Sequence, residues 1–318
     1  MRVVKPVLVT GASGFVGRNL GRVLGSRYPL IGVARGREPL PGYSQILEIG
    51  DLSEVSSLRV QLGQCQAVVH LAALAHVDEK KEGTPDYHRI NCAVTKTLAE
   101  TALDCGVSRF IFLSTAIVHG SGSDFVVQEA SPLRPESRYA ESKVEAEKAL
   151  ETLVTKGLKP YILRPPRVYG PGVRENFLRL LRFVAMGLPL PFRGVGNRRS
   201  FVFVDNLVSA IEHGLNHPDL VGTFLVADQE ALSIEELLEK MSKALGRKTP
   251  ATFPFPQVGV QVLFRLLGRD NFYRRLTESM VLDTRRLQAT GWIPPWLISE
   301  GLAQTAEWYR QNTKSMLG

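Results

Sequence analysis

The sequence predicts an α/β fold built on a doubly wound parallel sheet, with a smaller lobe assembled from later segments. Three observations predict it. Short, nearly continuous apolar runs recur along the first half, as strands covered on both faces require. Stretches with helical spacing of apolar residues lie between them, the alternation that parallel sheets need. A glycine-rich turn follows the first run directly and opens the first helical stretch.

In chain order, Val3 to Thr10 is a β-branched run, and Phe15 to Leu24 has helical periodicity that stops at Gly25. Leu30 to Ala34, Ala67 to Ala72 and Phe110 to Ser114 read as further strands, with helices over Val94 to Cys105 and Tyr139 to Thr155. After Lys159 the regularity falls away. The turn signals Pro165-Pro166, Gly170-Pro171-Gly172 and Gly187-Leu188-Pro189 surround an amphipathic stretch from Phe177 to Met186. Phe201 to Val204 and Thr223 to Ala227 read as strands on either side of a helix from Asn206 to Leu215. Ser233-Ile234-Glu235-Glu236 is a capping-box start, and Ser299 to Gln311 a closing helix. These elements divide into a sheet domain over 1–165, completed by 200–228, and a lobe from 166–199 and 229–318.

The chain has 318 residues, of which 44% are hydrophobic, which excludes a disordered or fibrous protein. Cys65, Cys92 and Cys105 are too scattered for a disulfide framework, and the six histidines show no ligand spacing, so no metal site is expected. No window approaches the roughly 18 apolar residues of a membrane span, and no signal-peptide pattern opens the chain. A soluble, cytoplasmic protein without an integral membrane segment is the expectation. The net charge of +8 leaves nucleic acid, an anionic membrane or a phosphorylated small molecule as partners. Its distribution decides. Residues 164–199 hold Arg164, Arg167, Arg174, Arg179, Arg182, Arg193, Arg198 and Arg199 against the single acid Glu175, whereas elsewhere 31 basic residues face 30 acidic ones. A local arginine-lined site for a phosphorylated small molecule is therefore expected, not a nucleic-acid surface.

The turn Gly11-Ala12-Ser13-Gly14-Phe15-Val16-Gly17 suits a backbone that bends tightly and brings a helix N-terminus to a pyrophosphate. Tyr139 and Lys143 share one face of a predicted helix, where the ammonium is expected to lower the tyrosine pKa toward working pH for proton transfer. At the end of the second strand, Gly32-Val33-Ala34-Arg35-Gly36-Arg37 lacks the acid that favours a free ribose, so NADP(H) is favoured and NAD(H) possible.

The glycine spacing, with Gly50-Asp51-Leu52, His70-Leu71-Ala72-Ala73, Asn91 with Thr95, Ser114-Thr115, Tyr139-Ala140-Glu141-Ser142-Lys143, Gly291-Trp292 and Glu300-Gly301-Leu302, resembles the extended short-chain dehydrogenase/reductase family, its NAD-dependent epimerase/dehydratase branch. The resemblance implies a Rossmann domain whose cofactor contacts are Gly11, Ser13, Gly14, Phe15, Gly17, Arg35, Asp51, Leu52, Leu71, Ala72, Ala73, Asn91, Tyr139, Lys143 and Pro166. It implies Tyr139 as acid/base, Lys143 as ribose anchor, and Thr115, or secondarily Ser114, as the hydroxyl on the substrate oxygen. Val118-His119-Gly120 departs from the family's Val-Tyr-Gly, and Ala116-Ile117 stands where the family's dehydratases carry Asp-Glu, so dehydration is not expected.

Leu163 through Gly172 and Asn197-Arg198-Arg199-Ser200-Phe201 match the family's nucleotide-diphosphate-sugar segment. By position, Asn176, Arg199 and Arg275 are then substrate contacts, and Leu190 to Phe192 the strip along uracil. The resemblance points first to a reductase of the C4 ketone of a UDP-2-acetamido-2,6-dideoxy-4-keto-hexose for surface polysaccharide. The alternatives are a UDP-glucose or UDP-N-acetylglucosamine 4-epimerase with tightly held NAD, and, in another class, a non-catalytic NADP(H)-sensing regulator. It also implies a homodimer through the helices at Val94 to Cys105 and Tyr139 to Thr155.

Overall fold

The structure is a computed structural model that describes residues 4–50, 54–74, 86–189, 192–250, 252–253 and 278–316. The chain forms two compact units: Met1–Gly120 with Pro132–Pro165 and Val208–Leu225, and Ser121–Ser131 with Pro166–Leu207 and Val226–Gly318.

The first unit opens with β1 (Val7–Thr10), α1 (Phe15–Leu24), β2 (Leu30–Ala34), β3 (Gln45–Glu48), a 3-10 turn (Val55–Leu58) and the short α2 (Arg59–Leu62). It continues with β4 (Ala67–His70), a π-helical turn (His88–Ala93), α3 (Val94–Asp104), β5 (Arg109–Leu113) and a 3-10 turn (Ala116–His119). Next come α4 (Arg138–Thr152) and β6 (Lys159–Arg164). In the second unit lie β7 (Arg167–Tyr169), α5 (Glu175–Met186) and β8 (Phe201–Phe203). Then follow α6 (Val204–Asn216), most of which belongs to the first unit, and β9 (Gly222–Leu225). The chain closes with α7 (Ile234–Leu245), α8 (Arg285–Gln288) and α9 (Ile298–Met316).

Seven strands pair in the order β3-β2-β1-β4-β5-β6-β9, every pair parallel. The winding reverses between β1 and β4, whose last residues Thr10 and His70 face each other in register. Ligands of such sheets bind beyond the strand ends at this reversal, because the loops diverge there and leave a crevice. Leu8, Val68, Phe110 and Ile162 from the strands pack with Leu98 and Ala102 of α3 and with Ala146 and Leu150 of α4. The outward faces of α3 and α4 carry Lys96, Thr97, Glu141, Glu145 and Lys148, all exposed. No large apolar side chain is exposed there among the described residues.

The second unit is ordered by aromatic packing and one buried acid. Tyr169 stacks on Phe177 at 5.3 Å, and Phe203 meets Trp296 edge-on. Asp228 accepts hydrogen bonds from Tyr169 Oη, Phe203 N and Asn206 Nδ2. Asn206 Nδ2 also donates to Trp296 O, so the loop before α9 is held by the same group. Ser233 and Glu236 form the expected capping box at the start of α7.

Most predicted elements stand within a few residues of their expected bounds, with four departures. The first strand starts at Val7, after Pro6, where a main-chain N–H becomes available again. β3 has only half-buried apolar residues, and β6 and β7 stand on either side of the turn signal Pro165-Pro166, with Pro160 inside β6. A π-helical turn precedes α3, where the sequence showed no start signal.

Arg109, at the start of β5, is buried. Its guanidinium donates to Gly214 O at 2.9 Å and Leu220 O at 2.7 Å and lies 5.0 Å over the Tyr161 ring. One cation thus caps the last turn of α6 and the loop entering β9, fixing the edge strand. Replacing Arg109 by Ala orphans several buried carbonyls, and a loss of about 3 kcal/mol of unfolding free energy is expected in urea denaturation.

Candidate active site

The glycine turn is a cradle that side chains would fill. Gly11 has φ +71°, and a Cβ there would sit 2.7 Å from Ala72 N. A Cβ on Gly17 would overlap Gly11 O and lie 2.7 Å from Ala12 O. Gly14 is the N-cap of α1, with no side-chain cap and no acid in the first turn. The first amides of α1 are therefore left to an external anion, as a dinucleotide pyrophosphate requires, so these residues fit a nicotinamide dinucleotide. Ser13 and Phe15 turn their carbonyls inward, to Arg18 Nε and Asn19 Nδ2.

Beneath the turn runs a chain of buried polar groups. Ala72 N donates to Thr10 Oγ1, which bonds His70 Nδ1 at 2.6 Å, while His70 Nε2 bonds Thr95 Oγ1 at 2.9 Å. Thr95 Oγ1 donates to Asn91 O, so it must accept from His70, which carries its proton on Nε2. Burial pushes the His70 pKa down to about 3, aided by the nearby Lys143 charge, consistent with the neutral tautomer. Asn91 accepts from Leu74 N and donates to Leu74 O and Ser142 Oγ. Its amide positions the loop after β4 against α4. Leu71 and Ala73 flank Ala72 in that loop, Leu71 N donating to Thr10 O.

Helix α4 is started by Ser137, whose hydroxyl accepts from Ala140 N, and it presents Tyr139, Lys143 and Glu147 along one face. Glu147 is buried and takes a bidentate ion pair from Arg164 of β6, with Nε at 3.0 Å, and a hydrogen bond from Ser114 Oγ. Arg164 Nη1 bonds His119 Nε2 at 3.0 Å, and His119 Nδ1 faces Pro132 O. His119 thus occupies the departure position as a neutral hydrogen-bonding member of this network. Lys143 Nζ donates to Leu113 O at 2.8 Å and lies 4.4 Å from the centre of the Phe112 ring. Of the two candidate hydroxyls, Ser114 is committed to Glu147. Among the described residues Thr115 Oγ1 only accepts, from Ile117 N at 3.4 Å, which leaves its own proton to donate. Among the described residues no hydrogen bond engages the Tyr139 phenol.

The electrostatics correct one expectation. Burial pushes the Tyr139 phenol up to about 12, and Lys143 does not bring it down. Lys143 is itself pushed down to about 7 by burial, with Glu147 pulling the other way. A lysine that loses its proton near neutrality is a weak electrostatic partner, so the pocket holds Tyr139 protonated.

At the end of β2, exposed Arg37 pairs with Glu48 of β3 at 2.6 Å, while Arg35 is exposed and has no ion pair among the described residues. The basic segment is also partly spent. Arg164 is neutralised inside the first unit, and Arg198 donates to Ala231 O and faces Glu236. Arg199 donates to Glu278 O and Ser121 O, which ties three segments of the second unit together. Seven surplus charges therefore do not all serve a ligand. Asn176 is the second residue of α5, a helix without a side-chain N-cap, and Phe192 is buried in the second unit. Pro166, half-buried, begins the second segment of that unit. Asp51, Leu52, Leu190 and Arg275 lie outside the described residues.

Sequence spacing missed Glu147, Arg164 and His119 as a unit. It also missed that His88, Cys92 and Glu145 bring their donor atoms within 4.8 Å of one another. The first set comes from three elements, and in the second Glu145 of α4 joins two residues of the π-helical turn.

The family model for the NAD dependent epimerase/dehydratase family matches residues 7–227. A UDP-glucose 4-epimerase of Vibrio cholerae is 36% identical over 98% of this chain and 97% of its own length. A dTDP-glucose 4,6-dehydratase of Streptomyces griseus is 30% identical over 96% of this chain and 94% of its own. Among solved structures, MoeE5 in complex with UDP-glucose and NAD superposes with a TM-score of 0.76 at 29% identity, covering 97% of this chain and 99% of that one.

Gly17→Ala is expected to weaken coenzyme binding at least tenfold in calorimetric titration, because the turn must open to admit the methyl group. His70 has a second signature. A base with a lowered folded pKa stabilises the fold fully above its unfolded value of 6.5, and that share is lost as pH falls toward 3. The difference in unfolding free energy between wild type and His70→Gln should shift over this window by at most about 1.4 kcal/mol per pH unit.

Proposed function

The chain belongs to the NAD-dependent epimerase/dehydratase family, and from that premise we propose that it is a UDP-hexose 4-epimerase that keeps NAD bound through turnover. The observation that carries this reading is the full-length similarity to a UDP-glucose 4-epimerase, which extends through both units. The reductase favoured by the arginines after β2 loses part of its support, since Arg37 is held by Glu48. Dehydration lacks its acids, since Ala116 and Ile117 occupy the 3-10 turn beside Thr115.

Bound NAD would supply a hydride acceptor, and later donor, at sugar C4. Gly11, Gly14, Gly17 and the amides of α1 would hold its pyrophosphate, and Lys143 its ribose. Thr115 donates its hydroxyl proton to the sugar O4 and orients it. Tyr139 would exchange the O4 proton, taking it when C4 is oxidised to the ketone and returning it when the ketone is reduced. Burial holds the Tyr139 phenol up at about 12, and a bound coenzyme's positive charge would favour the phenolate. Asn176 and Arg199 are the proposed diphosphate contacts of the second unit, Arg199 by exchanging its carbonyl partners for phosphate oxygens.

The test is incubation with UDP-galactose or UDP-N-acetylgalactosamine without added coenzyme, followed by proton NMR of the sugar. Interconversion with the gluco epimer is expected, with NAD released on denaturation. No interconversion, together with NADPH oxidation by a UDP-4-keto-6-deoxy-hexose, would overturn the reading in favour of the reductase. In the epimerase assay Tyr139→Phe should lower turnover by about 10²–10⁴-fold with coenzyme still bound. Thr115→Ala should cost more than tenfold.

A further inference from the structure

We propose that His88, Cys92 and Glu145 form a binding site for a thiophilic divalent cation, Zn²⁺ being the best match to a nitrogen, sulfur and oxygen donor set. The site is independent of the sugar chemistry. His88 and Cys92 lie on the π-helical turn before α3, and Glu145 lies on α4. One donor atom from each comes within 4.8 Å of the others, and His88 Nε2 is 3.6 Å from Glu145 Oε2. Tetrahedral zinc, with bonds of about 2.0–2.3 Å, sets its donors roughly 3.3–3.8 Å apart. The cluster therefore has to close by about 1 Å.

Its mobility is distributed to allow this. The side chains of His88 and Glu145 are 67% and 49% exposed and free to change rotamer, whereas Cys92 is buried and gives the site a fixed corner. A thiolate and a carboxylate together balance the charge of the cation. Burial and the facing Glu145 carboxylate raise the Cys92 pKa, and a cation binding there would release the thiol proton to solvent. Lys96, one turn beyond Cys92, is the nearby cation that opposes it. Three protein ligands leave the fourth position to water.

The consequence is mechanical. Asn91, between the two ligands on the π-turn, already reaches Ser142 of α4. A cation bridging His88, Cys92 and Glu145 adds a second fastening, about one turn further along α4. It would clip the π-turn to the helix that carries the catalytic pair.

The test uses tag-free, chelator-treated full-length protein, with Co²⁺ as the optical probe and Zn²⁺ as competitor. One equivalent of Co²⁺ should give a thiolate-to-cobalt charge-transfer band that Zn²⁺ bleaches, and Zn²⁺ should raise the melting temperature. His88→Ala and Glu145→Ala, at exposed positions that tolerate change, should each weaken Zn²⁺ binding at least tenfold in calorimetry. Cys92→Ser should abolish the band, and Cys105→Ser should leave it intact. Absence of a thiolate band in the wild type, or equal zinc affinity in the wild type, His88→Ala and Glu145→Ala, would refute the site.

Discussion

A buried ion pair between Glu147 and Arg164 sets the geometry on which the candidate active site rests. Taking both charges out of water costs several kcal/mol per ion, which their attraction offsets only with good geometry and with every remaining lone pair and proton matched. Here the contact is bidentate, Ser114 supplies a further donor to the carboxylate, and His119 accepts a guanidinium proton. The pair locks α4 to β6 and to the residues just after β5. Once Glu147 is fixed, helix periodicity leaves no freedom in where Lys143 and Tyr139 go, since all three share a face at intervals of four. The same lock withdraws Ser114 from chemistry and leaves Thr115 as the available hydroxyl.

Burial, not charge pairing, governs the titration of that face. The apolar surroundings that accommodate Lys143 over the Phe112 ring remove much of its tendency to hold a proton, and they hold the neighbouring phenol in its protonated form. The two shifts have one origin, the removal of both groups from water.

The layered fold was largely legible because its strands are buried on both faces and its helices amphipathic, patterns that a linear sequence displays directly. β6 was not, since Pro160 stands at its second position and the turn signal Pro165-Pro166 follows its last residue directly. The glycine turn and the Tyr139–Lys143 face were legible because local spacing carries them. Arg164 was misread with its neighbours as part of a phosphate-binding cluster, because its partner lies 17 residues upstream on another element. Arg199 reads as a ligand contact in sequence, yet here it braces the main chain. A charge count along the chain registers sign but not what each charge already faces.

The hydrogen bonds through His70 also settle what kind of structure underlies the glycine turn. Each donor points the same way, from the Ala72 amide through Thr10, the imidazole and Thr95 to the Asn91 carbonyl. The first member cannot accept a proton and the last cannot give one up, so nothing can travel along the line despite the histidine at its centre. It is a rivet in place of a relay. Reversing any one member would require reversing all of them against two fixed backbone ends, so the seam between β1 and β4 has a single ordered arrangement.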